Sequence, residues 1–502
     1  MVAEGGYEDI ILVGHSFGAL LVRAVWALAN GAQPDASIDP SKGSSWSDRV
    51  RRIVLLAALG RGWQPTVALS PFMRLVYWLT GLWEFVLVLP HLLAFDHRRG
   101  AAFLTTVRLQ SLALDNLARI EKGRPPSVVQ VLGTIDDLVA PSDNIDLITG
   151  ASFHYLEAAR TGHLNVITPD TEARARVLRL AIAGDDGELA ANAKDAHWVA
   201  DLYSDAQDDF DQVLPPEHRR SERRPCIHRA VMVLHGIRDY GHWTKRLAGR
   251  IKERARDQKL ECRTVTSSYG FFPMGPFLSP AVRRRRVEWF MDQYVHARAL
   301  YPEAKFAFVG HSNGTYLLAG AIDVCPAVRF HRVVFAGSVV RTNFDWDQAV
   351  KRGQVEAVVN YVATFDWIVA GFPKFLGRLR FFDLGGAGCD GFRQTPAVQN
   401  IRYVRGAHDA AIVEENWDGI ADFVLSGDDP ASRLPESLAR RRAHSMVLTV
   451  ASIFAVPIAC FVIWLVYHLG LASVGGLDQD TLKRIVGFGI AALVVGTVVT
   501  RF

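Results

Sequence analysis

Cysteine is scarce in this chain, and what there is forms no pattern. The five residues, Cys226, Cys262, Cys325, Cys389 and Cys460, show no CxxC spacing and no dense framework. That argues against a zinc site or a disulfide scaffold and fits reduced thiols in a cytosolic setting. An excess of charge of one sign is also lacking. A formal net charge of +4 on 502 residues leaves no electrostatic footprint for nucleic acid, so none is expected as a partner. The glycine-rich FFDLGGAGCDGF (381–392) has no lysine and no GK[ST], which disfavours phosphate binding. Cys389 within it reads as a small apolar filler. No metal and no organic cofactor is expected. The opening MVAEGGYEDI is acidic and has no basic flank followed by an apolar core, so it does not read as a secretory leader.

Long apolar runs are present, and they concentrate at the C-terminal end. Residues 446–469 form an almost uncharged stretch of about 24 residues, enough for the ~20 that a bilayer demands. Residues 485–500 form a shorter run of about 16, which spans only a thin or distorted bilayer. Arg440, Arg441 and Arg442 precede the first run and Arg501 follows the second. By the positive-inside rule the pair reads as a helical hairpin with both ends cytoplasmic. The expected location is therefore the membrane, with residues 431–502 as anchor and the rest of the chain on the cytoplasmic side.

The chain also repeats itself. YEDIILVGHSFGALLVRAVWALA from Tyr7 matches AKFAFVGHSNGTYLLAGAI from Ala304, and RVRRIVLLAALGRG from Arg49 matches FHRVVFAGSVVR from Phe330. SVVQVLGTIDDLVAP from Ser127 matches AVVNYVATFDWIVAG from Ala357, and ARTGHLNVI from Ala159 matches VRGAHDAAI from Val404. The order is the same each time, and the spacing of hundreds of residues marks duplicated domains rather than a solenoid. Short β-branched runs alternate with helix-like stretches, which argues for an α/β fold with a mostly parallel sheet and helices on both faces. The expected domains are 1–184 and 226–430. An acidic, then basic and proline-punctuated linker with one short helix joins them over 185–225.

In both copies a serine, Ser16 or Ser312, stands in a GHSxG sentence between an apolar strand-like run and an apolar helix-like run. A serine hydroxyl attacks well only when a base removes its proton. It must also stand clear of the fold, which a sharp strand-to-helix turn achieves. Flanking glycines are needed there because side chains would collide with the neighbouring strand and helix. The helix that follows aims its first amides at the site and favours developing negative charge.

On these residues the chain resembles the α/β-hydrolase superfamily of lipases, esterases and related serine hydrolases. The resemblance covers two tandem copies, roughly 1–184 and 226–426, the first of them truncated at its N-terminal side. It implies a nucleophile, acid and histidine in that order. In the second copy these are Ser312, Asp366 in VATFDWIVAG and His408 in VRGAHDAAI. In the first they are Ser16, an acid in GTIDDLVAP and His163. For that acid Asp136 fits the family's offset and Asp137 is the alternative. The resemblance also implies an oxyanion hole, made by the backbone of Asn313 and of Ile237 in VLHGIRD. In the first copy Phe17 supplies one such amide. The second donor has no counterpart, because the strand that should carry it is missing. Either that unit is a decayed partner or the chain as given starts at an internal methionine, and the resulting half sheet exposes an edge strand.

Between 62 and 124 the first copy carries an insertion. Its apolar core, SPFMRLVYWLTGLWEFVLVLPHLLAF (70–95), contains Trp78 and Trp83. It reads as a lid at the membrane interface, which favours a lipid-like or hydrophobic ester as substrate. The basic VRRRRVEW (282–289) reads as a solvated helix face. The expected function is a membrane-anchored serine hydrolase that cleaves carboxylic esters through an acyl-enzyme. The alternative is a non-catalytic, hydrolase-like scaffold or binding protein at the membrane.

Overall fold

A computed structural model describes residues 6–64, 96–121, 125–144, 146, 153–194, 224–237, 241–270, 272, 276–277, 279–363, 365–377, 383–393, 395–404, 406–433 and 464. The apolar segment 70–95 and, but for residue 464, the runs 446–469 and 485–500 fall outside this set. The apolar core of the expected lid and the membrane hairpin therefore lie outside the described residues, whereas the C-terminal part of the expected 62–124 insertion is a helix, Ala102–Ile120, whose Leu104 and Val107 are buried in one cluster with Leu20 and Ala24. Among the described residues no helix is long and apolar enough to cross a membrane.

The protein is α/β and divides into two compact units. The first comprises Met1–His228, Arg285–Ala304 and Ala321–Arg329, and the second Arg229–Arg284, Lys305–Gly320 and Phe330–Phe502. In the first, β1 (Ile10–His15) runs through Ser16 into α1 (Phe17–Ala29). It is followed by β2 (Val50–Leu56), α2 (Ala102–Ile120), β3 (Ser127–Gly133), β4 (Phe153–Ala158), α3 (Glu172–Ala183) and α4 (Asp186–Asn192). The four strands form a parallel sheet in the order β1-β2-β3-β4. Valines and leucines fill both faces of β2 and β3, as a parallel sheet covered on both sides requires.

The second unit's sheet is built from β5 (Arg229–Leu234), β6 (Cys262–Val265), β7 (Lys305–His311), β8 (Phe330–Ala336), β9 (Val355–Ala363) and β10 (Val398–Val404). The remaining helices, in chain order with those above, are α5 (His242–Asp257), α6 (Pro280–Leu300), α7 (Asn313–Val324), α8 (Trp346–Lys351), α9 (Trp367–Leu376) and α10 (Trp417–Ser426); α6 from Arg285 and α7 from Ala321 belong to the first unit and the rest to the second. The six strands are parallel in the order β10-β9-β8-β7-β5-β6. By sequence repeat, β7 to β10 correspond to β1 to β4. The second sheet therefore continues past its serine strand by two strands, β5 and β6, that have no equivalent among the described residues of the first.

The short helix expected in the segment after Gly184 is α4, which starts with a reciprocal capping box between Asp185 and Glu188; its Leu189 is buried in the first unit's core. One reading of the sequence needs revision: VRRRRVEW is not a simple solvated face. Arg283 is fully buried; its Nη1 donates to the Phe277 carbonyl at 2.6 Å and its guanidinium pairs with Asp383. Arg284 and Arg285 are exposed.

The first unit also contains a buried ion network. Arg108 donates to Asp292 at 2.6 Å and to Asp146 at 2.7 Å. Arg61 shares Asp292 at 2.8 Å and Arg23 shares Asp146 at 3.2 Å. Arg99 meets Asp143 at 2.5 Å. Burial alone would raise the carboxyls of Asp292 and Asp146, but the guanidinium groups of Arg61 and Arg108, and of Arg108 and Arg23, outweigh it and hold both low. At Asp143 burial prevails over Arg99, and the carboxyl is pushed up to about 6. Breaking such a network is costly because a charge stays behind in a dry interior. Asp292→Ala removes the carboxylate that Arg61 and Arg108 share and is expected to destabilise the first unit by about 3–5 kcal/mol. Asp9→Ala removes only the exposed partner of Arg51 at 3.8 Å and should cost less than about 1 kcal/mol. Urea denaturation measures both, and equal midpoints would contradict the ranking.

Candidate active site

Each serine sits at the tip of a strained turn. Ser16 has φ 54° and ψ −125°, and Ser312 has φ 52°, a region that non-glycine residues enter at a cost of about 1–3 kcal/mol. Hydrogen bonds across the sheet hold the strain in place: Ser16 N–H donates to the Leu56 carbonyl at 2.9 Å and Ser312 N–H to the Ala336 carbonyl at 3.0 Å. The glycine two residues earlier is a steric requirement. A Cβ on Gly14 would lie 2.6 Å from Ala19 Cα, and one on Gly310 would lie 2.5 Å from the Phe308 ring and 3.1 Å from the Gly314 backbone. Strand and helix can cross this closely only where that side chain is missing.

In the first unit the three sequence-selected residues form a relay. His163 Nε2 lies 3.0 Å from Ser16 Oγ, and its Nδ1 lies 3.0 Å from Asp136 Oδ2. Asp136 follows β3 and His163 follows β4, so neighbouring strand ends deliver both. The other oxygen of Asp136 accepts from the amides of Leu138 at 3.0 Å and Val139 at 2.8 Å. Burial would raise this carboxyl, yet the bonds from His163 and from the two amides hold it below the usual carboxylate range. Asp137 is exposed.

The second unit repeats the acid and imidazole half of the relay. His408 Nδ1 is 2.9 Å from Asp366 Oδ2, and Asp366 Oδ1 accepts from the Val369 amide at 2.9 Å. Asp366 is fully buried. The imidazole lies over the end of β8, where a Cβ on Gly337 would come within 2.8 Å of its Cε1. The hydrogen bonds of the described residues do not include one from Ser312 to His408. Bonds of this kind commonly tighten when substrate binds.

Sequence reasoning overlooked the histidine before each serine. His15 Nε2 donates to the His163 carbonyl at 2.9 Å, and His311 Nε2 donates to the His408 carbonyl at 3.1 Å. Because a carbonyl only accepts, the proton of each ring is on Nε2. Each of these rings thus holds the backbone of the later histidine of its own unit. The signal was in the sequence, since VGHS occurs in both copies.

The loop after β5 is drawn tightly over Ser312. A Cβ on Gly236 would lie 2.7 Å from Ser312 Cβ and 3.2 Å from its Oγ. His235 stacks on Tyr269 with ring centroids 4.5 Å apart. Its Nδ1 donates to the Gly236 carbonyl and its Nε2 accepts from Ser268 Oγ, both at 2.8 Å. Tyr269 donates to the His235 carbonyl at 2.8 Å and accepts from Asn313 Nδ2 at 3.1 Å. Ile237 follows this pinned loop, and Asn313 opens α7, where first-turn amides have no partner within the helix. Phe17 occupies the same position at the start of α1. Cys389 is buried, and burial raises its thiol, which disfavours it as a nucleophile. Among the described residues no cluster of His, Cys, Asp or Glu is placed to hold a metal ion.

No protein-family model matches the chain, and no curated protein matches it in sequence. Two substitutions probe the geometry. Asp136→Asn is expected to slow reaction of Ser16 with an organophosphonate by about 10³–10⁴-fold, as loss of the orienting carboxylate does in such relays, while Asp137→Asn leaves the rate unchanged. Similar effects of the two would show that Asp136 does not orient His163.

Proposed function

We propose that the protein is a serine hydrolase of the α/β-hydrolase type that cleaves carboxylic esters with hydrophobic acyl groups. The observation that carries this reading is the unbroken relay Ser16–His163–Asp136, with both bonds at 3.0 Å, behind a serine at positive φ. The paired His408–Asp366 beside a second such serine supports it further.

In this mechanism the serine oxygen attacks the ester carbonyl carbon while its proton passes to Nε2 of the histidine. At Ser312 the amides of Asn313 and Ile237 stabilise the resulting oxyanion. Collapse of the tetrahedral intermediate breaks the bond to the alcohol, which leaves with the proton from His408. Water then attacks the acyl-enzyme by the same route and releases the acid. Asp366 and Asp136 keep the ring oriented and stabilise it when it is charged. The hydrophobic substrate class and the membrane anchor rest on the apolar segments 70–95, 446–469 and 485–500.

The alternative, a hydrolase-like scaffold, draws support from one feature of the first unit, whose sheet has no strand to carry a second oxyanion donor among the described residues. Labelling with a fluorophosphonate separates the two readings. Wild type should label at both serines, Ser312 about 10²–10³-fold faster than Ser16, the cost of one missing donor. Ser16→Ala and Ser312→Ala should each retain one labelled site, and the double variant none. No labelling of wild type would favour the scaffold. With p-nitrophenyl esters, kcat/KM should rise from acetate to octanoate, each buried methylene contributing about 0.8 kcal/mol. A flat series would remove the hydrophobic acyl pocket from the proposal.

A further inference from the structure

Two chain segments meet at Ser312, the loop after β5 and the start of α7, and the phenol of Tyr269 touches both. In the register of β5 against β6, Met232 stands opposite Val265. Beyond that pair β5 leads to His235 and β6 to Tyr269. The two rings stack with centroids 4.5 Å apart and 27° between their planes. Tyr269, His235 and Asn313 are buried, at 1%, 1% and 0% exposure, so the bonds among them are formed away from bulk water.

The Tyr269 hydroxyl has a single proton, which it gives to the His235 carbonyl at 2.8 Å. Towards Asn313 Nδ2, 3.1 Å away, it therefore acts as acceptor. One hydroxyl thus ties the loop after β5 to the side chain of the residue after the serine. The loop end of the tie has a fixed orientation. His235 Nδ1 donates to the Gly236 carbonyl at 2.8 Å. Ser268 Oγ accepts from the Gly270 amide at 3.2 Å and donates to His235 Nε2 at 2.8 Å. The peptide from Gly236 to Ile237 is trans, and a planar trans peptide points its N–H opposite to its carbonyl. With the Gly236 carbonyl turned to the His235 ring, the Ile237 amide is turned away from it. Phe17, the equivalent of Asn313 in the first unit, has no polar side-chain atom to enter such a tie.

We infer that Tyr269 is a positioning residue whose hydroxyl sets the spacing between the amides of Ile237 and Asn313, the two donors assigned to the oxyanion at Ser312. This role rests on the proposed hydrolase function. A donor stabilises developing charge well only when it is already aimed at the place where that charge appears. A misplacement of about 1 Å costs on the order of 100-fold in rate. Loss of the hydroxyl leaves both amides in the chain and frees only their separation. The effect therefore falls on the transition state rather than on the bound ester, whose carbonyl has not yet developed the charge.

The test uses the full chain carrying Ser16→Ala, so that only Ser312 turns over p-nitrophenyl butyrate. Tyr269→Phe keeps the stacked ring and removes the hydroxyl. It should lower kcat by about 10–100-fold and leave KM within about twofold. The inhibition constant of butylboronic acid, which forms a tetrahedral adduct with the serine, should rise by a factor similar to the fall in kcat. Asn313→Leu breaks the other end of the same tie while keeping the backbone amide, and should lower kcat to a similar extent. The double variant should lose no more than either single one, since both remove one interaction. An unchanged kcat in Asn313→Leu or in folded Tyr269→Phe would overturn the inference and leave the hydrolase reading intact. So would additive losses in the double variant, or a loss carried by KM alone. A Ser16→Ala chain that neither turns over the ester nor takes up a fluorophosphonate at Ser312 would overturn the hydrolase reading, and the inference with it.

Discussion

The arrangement depends on one constraint: a serine forced to positive φ where a parallel strand turns into a helix. The strain at Ser16 and Ser312 persists because surrounding contacts over-determine it. The serine amide is tied to the adjacent strand, and Gly14 and Gly310 let helix and strand approach where a methyl group would clash. The turn presents the hydroxyl at the carboxyl end of the sheet, beside the loops that carry the acid and the histidine. The histidine before the serine closes the arrangement by bonding the carbonyl of the later histidine. Serine and histidine are thereby set from the same turn.

In the first unit a buried ion network supports that turn. Arg23 lies on α1, the helix that the elbow starts. It donates to the Gly60 carbonyl after β2 at 3.1 Å as well as to Asp146. Asn144 Nδ2 donates to the Ala58 carbonyl at 2.7 Å. The helix behind Ser16 is thus held to loops of the sheet by directional bonds that apolar packing alone does not supply. Well-packed apolar residues are often as stable as buried ion pairs. The network's consequence is instead a fixed seating of α1, since each guanidinium accepts few geometries.

Much of this was legible in the sequence, for identifiable reasons. The strands were readable because buried parallel strands are runs of Val, Ile and Leu, and the repeat identified equivalent strands. The serine, acid and histidine stood out by their order behind an elbow and by recurring twice. Asp136 and Asp137 were not separable by pattern. The distinction is three-dimensional, since only Asp136 turns one oxygen to His163 and the other to the Leu138 and Val139 amides. The ion network was invisible because Arg61, Arg108, Asp146 and Asp292 lie far apart in the chain and carry no periodic signal. Arg283 misled for a related reason: in a run of four arginines, composition suggests solvent, and burial is decided by what lies opposite.

The central claim is that the elbow serine is a nucleophile facing two backbone amides. A crystal structure of the protein after reaction with diethyl p-nitrophenyl phosphate tests it most directly. The account predicts phosphorus bonded to Ser312 Oγ, with the phosphoryl oxygen about 3 Å from the amides of both Asn313 and Ile237. An unmodified Ser312, or an adduct whose oxygen turns away from those amides, would contradict it.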